Sequence, residues 1–148
     1  MKRTVDTVAF ILVRGGRVLV ERRSMSKATD PGAIVVPGGH VEPGESLVEA
    51  CRRELKEELD VDCRDLSLYA EMLCPTEVED QLNRWFLCRG WSGEPVRREA
   101  EEILWIGSGE VGRLSLLNDR AVIGRLFGEL ERGADPTPVR APGAGVDL

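Results

Sequence analysis

The sequence predicts an α/β fold in which a mixed β-sheet is sandwiched between α-helices. Three observations carry that reading: short β-branched runs along the chain, a central stretch with helical spacing, and a second such stretch near the end. Strands interrupted by one helix and closed by another leave sheet faces that helices must cover. With 148 residues, 42% hydrophobic and 31% charged, the chain supports one domain with a single core.

Residues 5–13 read as an apolar strand, and Val18-Leu19-Val20 begins another. Between them Arg14-Gly15-Gly16-Arg17 is a hairpin turn, because glycine takes up positive φ at little cost. Residues 33–36 form a short strand that stops at Pro37-Gly38-Gly39. From residue 46 to residue 59 the spacing becomes helical. Ser46 with Glu49 makes a capping box, and Leu47, Cys51, Leu55 and Leu59 form a stripe for the core. Further strands are expected at residues 66–73, 84–88 and 103–106. A second helix fits residues 118–131, with Ala121, Val122, Leu126 and Leu130 on one side. The domain is therefore expected over residues 1–132. Residues 133–148, rich in proline and glycine, read as a flexible tail.

Composition narrows the function. A net charge of −6 argues against duplex nucleic acid as partner, since phosphate-backbone binding needs a basic face. An acidic protein acting on a polyphosphate needs a positive bridge, and a divalent cation is the simplest. Cys51, Cys63, Cys74 and Cys88 form no C-x-x-C pair, and His40 is the only histidine. Those spacings argue against a zinc site and for free, mostly buried thiols. No apolar run approaches the ~20 residues of a membrane span. The start at Met1-Lys2-Arg3 lacks the apolar region of a signal peptide, so a cytoplasmic location is expected.

The chemistry is concentrated between Gly39 and Val61. Glu54, Glu57 and Glu58 fall at i, i+3 and i+4, within an arc of about 100° on one helix face. Like charges so placed repel, and a hard cation such as magnesium or manganese relieves that repulsion with oxygen ligands. Pro37-Gly38-Gly39 lies upstream, where glycine lets backbone carbonyls approach an ion. Taken alone, Arg53 to Glu58 also reads as a solvated helix surface.

The whole stretch resembles the Nudix box, G-x5-E-x7-R-E-U-x-E-E-x-G-U, where U is a bulky apolar residue. Gly39, Glu45, Arg53, Glu54, Leu55, Glu57, Glu58 and Val61 meet it. The exception is Asp60, which stands where the box has glycine. A left-handed C-cap is expected there, and aspartate tolerates that conformation better than most residues. The resemblance extends more loosely over residues 4–131. It implies that Glu54, Glu57 and Glu58 bind metal (Mg2+, with Mn2+ as the alternative) and that Gly38 offers its carbonyl. It implies that Arg53 orients the neighbouring glutamate and that Glu45 holds the site together. In this class water attacks a phosphorus while metal neutralises the phosphate oxygens. The proton acceptor is then Glu54 or a carboxylate on a later loop, where Glu99 is the first choice and Glu101 and Glu102 follow.

The resemblance implies an enzyme that cuts the pyrophosphate bond of a nucleoside diphosphate derivative, most simply a nucleoside triphosphate. ADP-ribose is the rival substrate, since that subgroup often carries a proline at a spacing close to that of Pro75. A binding module of the same fold without catalysis would be expected to lose box glutamates, and these are present. A homodimer would be in keeping with the family. Arg14, Arg22, Arg23, Lys27 and Arg84 are read as surface charge before phosphate contacts. Trp85, Phe86 and Trp105 are read as core before base-stacking groups. His40 receives no role.

Overall fold

A computed structural model describes residues 2–134. The described chain runs β1 (Thr4–Arg14), β2 (Arg17–Arg22), β3 (Ile34–Val35), β4 (Gly38–His40), α1 (Leu47–Leu59), β5 (Asp62–Pro75), β6 (Asp80–Ser92), β7 (Glu102–Ile106), a 3-10 turn (Ser108–Arg113) and α2 (Leu117–Glu131). Most of the expected tail, residues 135–148, lies outside the described residues.

β1 is the axis of the sheet. It pairs parallel with β6 from Thr4↔Asp80 to Leu12↔Cys88. It also pairs antiparallel with β4 near its start and with β2 at the hairpin. Gly15 and Gly16 have φ of 58° and 74°, as the tight turn requires. β2 carries β3 and β7 on its two sides, and β6 carries β5. The sheet is thus mixed, as the alternation of elements predicts.

Strand alternation sends successive residues to opposite faces. Val8, Phe10 and Leu12 pack with Leu47, Cys51, Leu55 and Leu59 of α1. Ala9 and Ile11 pack instead with Val122, Ile123, Leu126 and Phe127 of α2. Each fully buried leucine or phenylalanine in these clusters contributes roughly 1.5–3 kcal/mol. The expected α1 stripe is the buried face. The α2 face differs: Ala121 is exposed, and Ile123 and Phe127 take the core positions. A wide sheet face calls for a broader apolar stripe than every fourth residue supplies. The cysteines are free, and no helix among the described residues is long and apolar enough to cross a membrane.

β5 and β6 extend well past the expected residues 66–73 and 84–88. Their ends are polar and half-exposed, so they lack the apolar signal of a strand but still complete the ladder. β4 was not expected, because paired glycines read as a break. Gly38 pairs with Ala9 and Gly39 with Val8, and a Cβ at Gly38 would stand 2.1 Å from the Val8 carbonyl oxygen. Only glycine allows the chain this close to β1.

The capping box forms. The Glu49 N–H donates to Ser46 Oγ at 3.1 Å, and the Ser46 N–H donates to Glu49 Oε1 at 2.9 Å. At the other end Asp60 is left-handed, with φ 56° and ψ 42°. It is not an idle cap, however. Lys56 Nζ lies 3.1 Å from Asp60 Oδ1 and Arg98 3.4 Å from Oδ2, and these cations hold its carboxyl below the usual range. Its backbone strain and its ion pairs therefore oppose each other. Salt screens exposed pairs and leaves φ strain untouched. Asp60→Gly should accordingly gain melting temperature relative to the wild-type chain as salt is raised. A difference in Tm that is independent of ionic strength would show that the pairs contribute nothing.

α2 is pinned by a buried carboxylate. Asp119 accepts from the Val36 N–H and from Trp85 Nε1, both at 3.0 Å. Burial pushes its carboxyl from 3.8 up to about 6. The folded chain therefore holds this proton more tightly than the unfolded chain does. The group's contribution is greatest below its unfolded value and is lost as pH rises from 3.8 to about 6. Denaturant titrations across that window should show the wild-type stability falling relative to Asp119→Asn. Parallel pH profiles for the two would overturn the assignment.

Candidate active site

A cleft of about 730 Å³ opens along α1 and the rim of the sheet. One wall is the helix face carrying Glu54, Glu57 and Glu58. Gly38, Gly39, Glu21, Arg23 and Lys27 come from the strands and the segment after β2, and Glu99 from the loop before β7. The lining also includes Thr7, Gln81, Asn83, Trp85, Asn118 and Asp119.

The helix periodicity accounts for the wall. Leu55 and Leu59 anchor α1 in the core, which leaves Glu54 at the boundary, buried, and Glu58 half-buried. Glu57 is exposed. A solvated helix surface would expose them all, so that alternative fails at Glu54. Gly39 makes room for it: a Cβ there would lie 2.3 Å from the Glu54 carboxyl carbon. The glycine required at this position thus serves a side chain of α1 as well as the backbone.

Arg53 gathers the acids. Its Nε donates to Glu45 Oε2 at 2.7 Å, and its second terminal nitrogen donates to Glu45 Oε1 at 2.9 Å. This bidentate pair holds the Glu45 carboxyl below its usual range and raises the guanidinium above its own. The other terminal nitrogen donates to Glu54 Oε1 at 2.9 Å and to Glu57 Oε2 at 3.1 Å. The His40 carbonyl oxygen accepts from Arg53 at 2.9 Å. His40 therefore enters through its backbone, while its ring meets the Glu79 carboxylate.

The remaining acids are poorly compensated. Burial raises the Glu54 carboxyl despite Arg53, and it pushes Glu58 up to about 7 with added repulsion from Glu21, Glu99 and Glu54. Glu21 was missed by sequence reasoning, which marked only the start of β2 at Val18-Leu19-Val20. It is buried and also pushed up to about 7, chiefly by burial. The signal was a glutamate two residues beyond Leu19, on the same side of a strand.

Among the described residues, no group of three or more His, Cys, Asp and Glu side chains is drawn together as a closed metal site. Arg53 accounts for part of that, since it takes lone pairs of both Glu54 and Glu57. The donor chemistry still fits a hard cation: carboxylate oxygens on one wall, and a Glu21 Oε2 without a hydrogen-bond partner.

The loop candidates separate. Glu99 faces the cleft and pairs with Lys27 at 3.0 Å. Glu102 pairs with Arg22 at 3.2 Å, and neither it nor Glu101 lines the cleft. Of the basic residues, Arg23 and Lys27 line the cleft. Arg14 pairs with Glu94, and Arg84 with Asp6 and Glu71, outside it. Trp85 and Phe86 are core, as expected, although Trp85 also meets the cleft. Trp105 stacks on Trp91 at 6.4 Å, away from the cleft.

Comparison with known proteins agrees with this geometry. The NUDIX domain family matches residues 2–126. An 8-oxo-dGTP diphosphatase of Escherichia coli (strain K12) is 30% identical over 108 residues, 72% of this chain and 81% of that protein. The m7GpppN-mRNA hydrolase NUDT17 of Xenopus laevis is 45% identical over 67 residues, 44% of this chain and only 23% of the frog protein's length. A MutT Nudix hydrolase from Burkholderia pseudomallei shares the fold, with a TM-score of 0.74 at 24% identity, over 82% of this chain and 97% of that one. With the domain matched over most of its length, a box met at all but one position and the box helix lining a cleft, the chain belongs to the Nudix hydrolase family.

Proposed function

We propose that this chain hydrolyses the pyrophosphate linkage of a nucleoside triphosphate with the help of a divalent cation. The observation that carries the reading is the clamp of Arg53 and Glu45 behind a cleft wall of glutamates. The likeness to a diphosphatase of 8-oxo-dGTP over most of that protein's length supports a triphosphate substrate.

The placement of these side chains supports the following roles. Glu54, Glu57 and Glu58, with the Gly38 carbonyl, would hold Mg2+ or Mn2+. When bound, that cation neutralises phosphate oxygens and stabilises the leaving phosphate. Glu45 fixes Arg53, and Arg53 fixes Glu54 and Glu57, so these are positioning residues. Among the described residues, Arg23 and Lys27 supply the lysine and arginine side chains other than Arg53 on the cleft lining, and they suit the phosphate chain. The amide groups of Gln81, Asn83 and Asn118 on the cleft lining suit the edge of a base. Glu99 sits across the cleft on a loop and accepts the proton from the attacking water.

A substrate panel tests the reading. The chain is incubated with magnesium and either a nucleoside triphosphate, 8-oxo-dGTP included, or ADP-ribose, and pyrophosphate and AMP are measured. Pyrophosphate from a triphosphate is expected. AMP from ADP-ribose alone would instead favour the rival substrate, whose proline signal, Pro75, does line the cleft.

Glu58→Gln should lower kcat by at least about 10^2, the usual worth of one charge-stabilising interaction at a reacting phosphate. Normal turnover in that variant at saturating magnesium would remove Glu58 from the site. Glu99→Gln should lower kcat by about 10^2–10^4 with little change in KM, as loss of a general base does. Glu101→Gln and Glu102→Gln serve as neighbours that leave turnover unchanged. Equal rates for all of them would return the proton to Glu54.

A further inference from the structure

β2 carries a carboxylate where its pattern calls for an apolar residue. Val18 and Val20 pack on the α2 side of the sheet, and Leu19 packs on the α1 side. Alternation puts Glu21 on the α1 side with Leu19. The neighbouring strand agrees, since Leu19 pairs with Trp105 and Glu21 with Ile103, both of which pack towards α1. Glu21 is therefore an inward position of an interior strand, flanked by β3 and β7.

Its side chain is only 4% exposed, and its Oε2 has no hydrogen-bond partner. The nearest cations are committed elsewhere: Lys27 to Glu99, and Arg23 to the carbonyl and hydroxyl of Thr29. The charged groups around it are Glu54, Glu58, Glu99, Arg23 and Lys27. A buried, unpaired carboxylate among three others is costly. Leucine would fill the position without that cost. Glu21 also lines the cleft together with Glu54 and Glu58, and its unpartnered oxygen is buried beneath that surface.

We propose that Glu21 is a further protein ligand of the divalent cation, contributing an oxygen from the sheet opposite the helix glutamates. The inference rests on the metal-dependent reading of the cleft given above. It extends the metal site beyond the box helix, and it makes the cation a bridge between α1 and β2. A cation binding there adds a link across the domain as well as a charge at the substrate.

Manganese binding to the full chain tests this without reference to turnover. Mn2+ affinity is measured by electron paramagnetic resonance or calorimetry for wild type, Glu21→Gln and Glu21→Leu, alongside the melting temperature with and without Mn2+. Both variants should bind Mn2+ at least about tenfold more weakly, as losses at metal sites do. Their metal-free Tm should equal or exceed that of wild type, and their Mn2+-induced rise in Tm should shrink. The leucine variant keeps the test open if glutamine destabilises the strand. Wild-type affinity in either folded variant would overturn the proposal and leave the helix site intact. Failure of the wild-type chain itself to bind Mn2+ would overturn the metal-dependent reading, and Glu21 with it.

Discussion

The guanidinium of Arg53 is the interaction on which the site depends. It bonds to Glu45, Glu54, Glu57 and the His40 carbonyl, so one cation joins the strand β4, the loop after it and the helix α1. Hydrogen bonds to charged groups are each worth roughly 1.5–3 kcal/mol net. Their larger effect is geometric. The fork of Arg53 fixes carboxylates that would otherwise repel, and a lysine could not reproduce it. The loop ending in Glu45 is held again by the Glu42 N–H, which donates to Glu45 Oε1 at 2.9 Å. The capping box at Ser46 starts the helix immediately afterwards, so the clamp and the helix entry share one short segment.

The apolar core and the acidic cleft are built on the same elements. Leu55 and Leu59 are fully buried, while Glu54 and Glu58 on the adjoining arc are pushed towards neutrality. A core stripe and an acidic stripe on one helix mean that packing sets the depth of the carboxylates. Asp119 shows the contrasting solution. It is equally buried, yet both of its oxygens are satisfied, and it serves as a fastening for α2. Glu21 has an oxygen left over. That difference separates a carboxylate that completes the fold from one turned to something outside the chain.

Much of this was legible in the sequence because it depended on local spacing. The α1 stripe, its capping box and the left-handed Asp60 are consequences of a few neighbouring residues. The positions of Arg53, Glu45 and Glu54 along the chain came from the box pattern, although their mutual bonds came only with the fold. What remained hidden depends on distant pairing. β4 is stable because β1 lies beside it, and Gly39 is needed because Glu54 lies behind it. Glu21 escaped notice because its neighbours in space, Glu54 and Glu58, stand more than 30 residues away along the chain. The partners of Asp60 divide the same way: Lys56 is one helical turn off, whereas Arg98 arrives from the far end of the β6 connection.

The placement of β1 has a consequence for how the molecule comes into being. Its long partner is β6, and Thr4 meets Asp80 from the far side of α1 and β5 in the chain. Contacts so far apart form only after a large loop has closed, which slows the search for the native state. Until β6 is available, one flank of this long strand, with its buried run from Thr7 to Leu12, has no hydrogen-bonding partner. The hairpin with β2 and the short bridge to β4 protect the remainder of β1 during that interval. A nascent chain ending within β5 would thus carry its helix glutamates and their arginine clamp while displaying an open sheet edge, the feature most prone to pair with another copy.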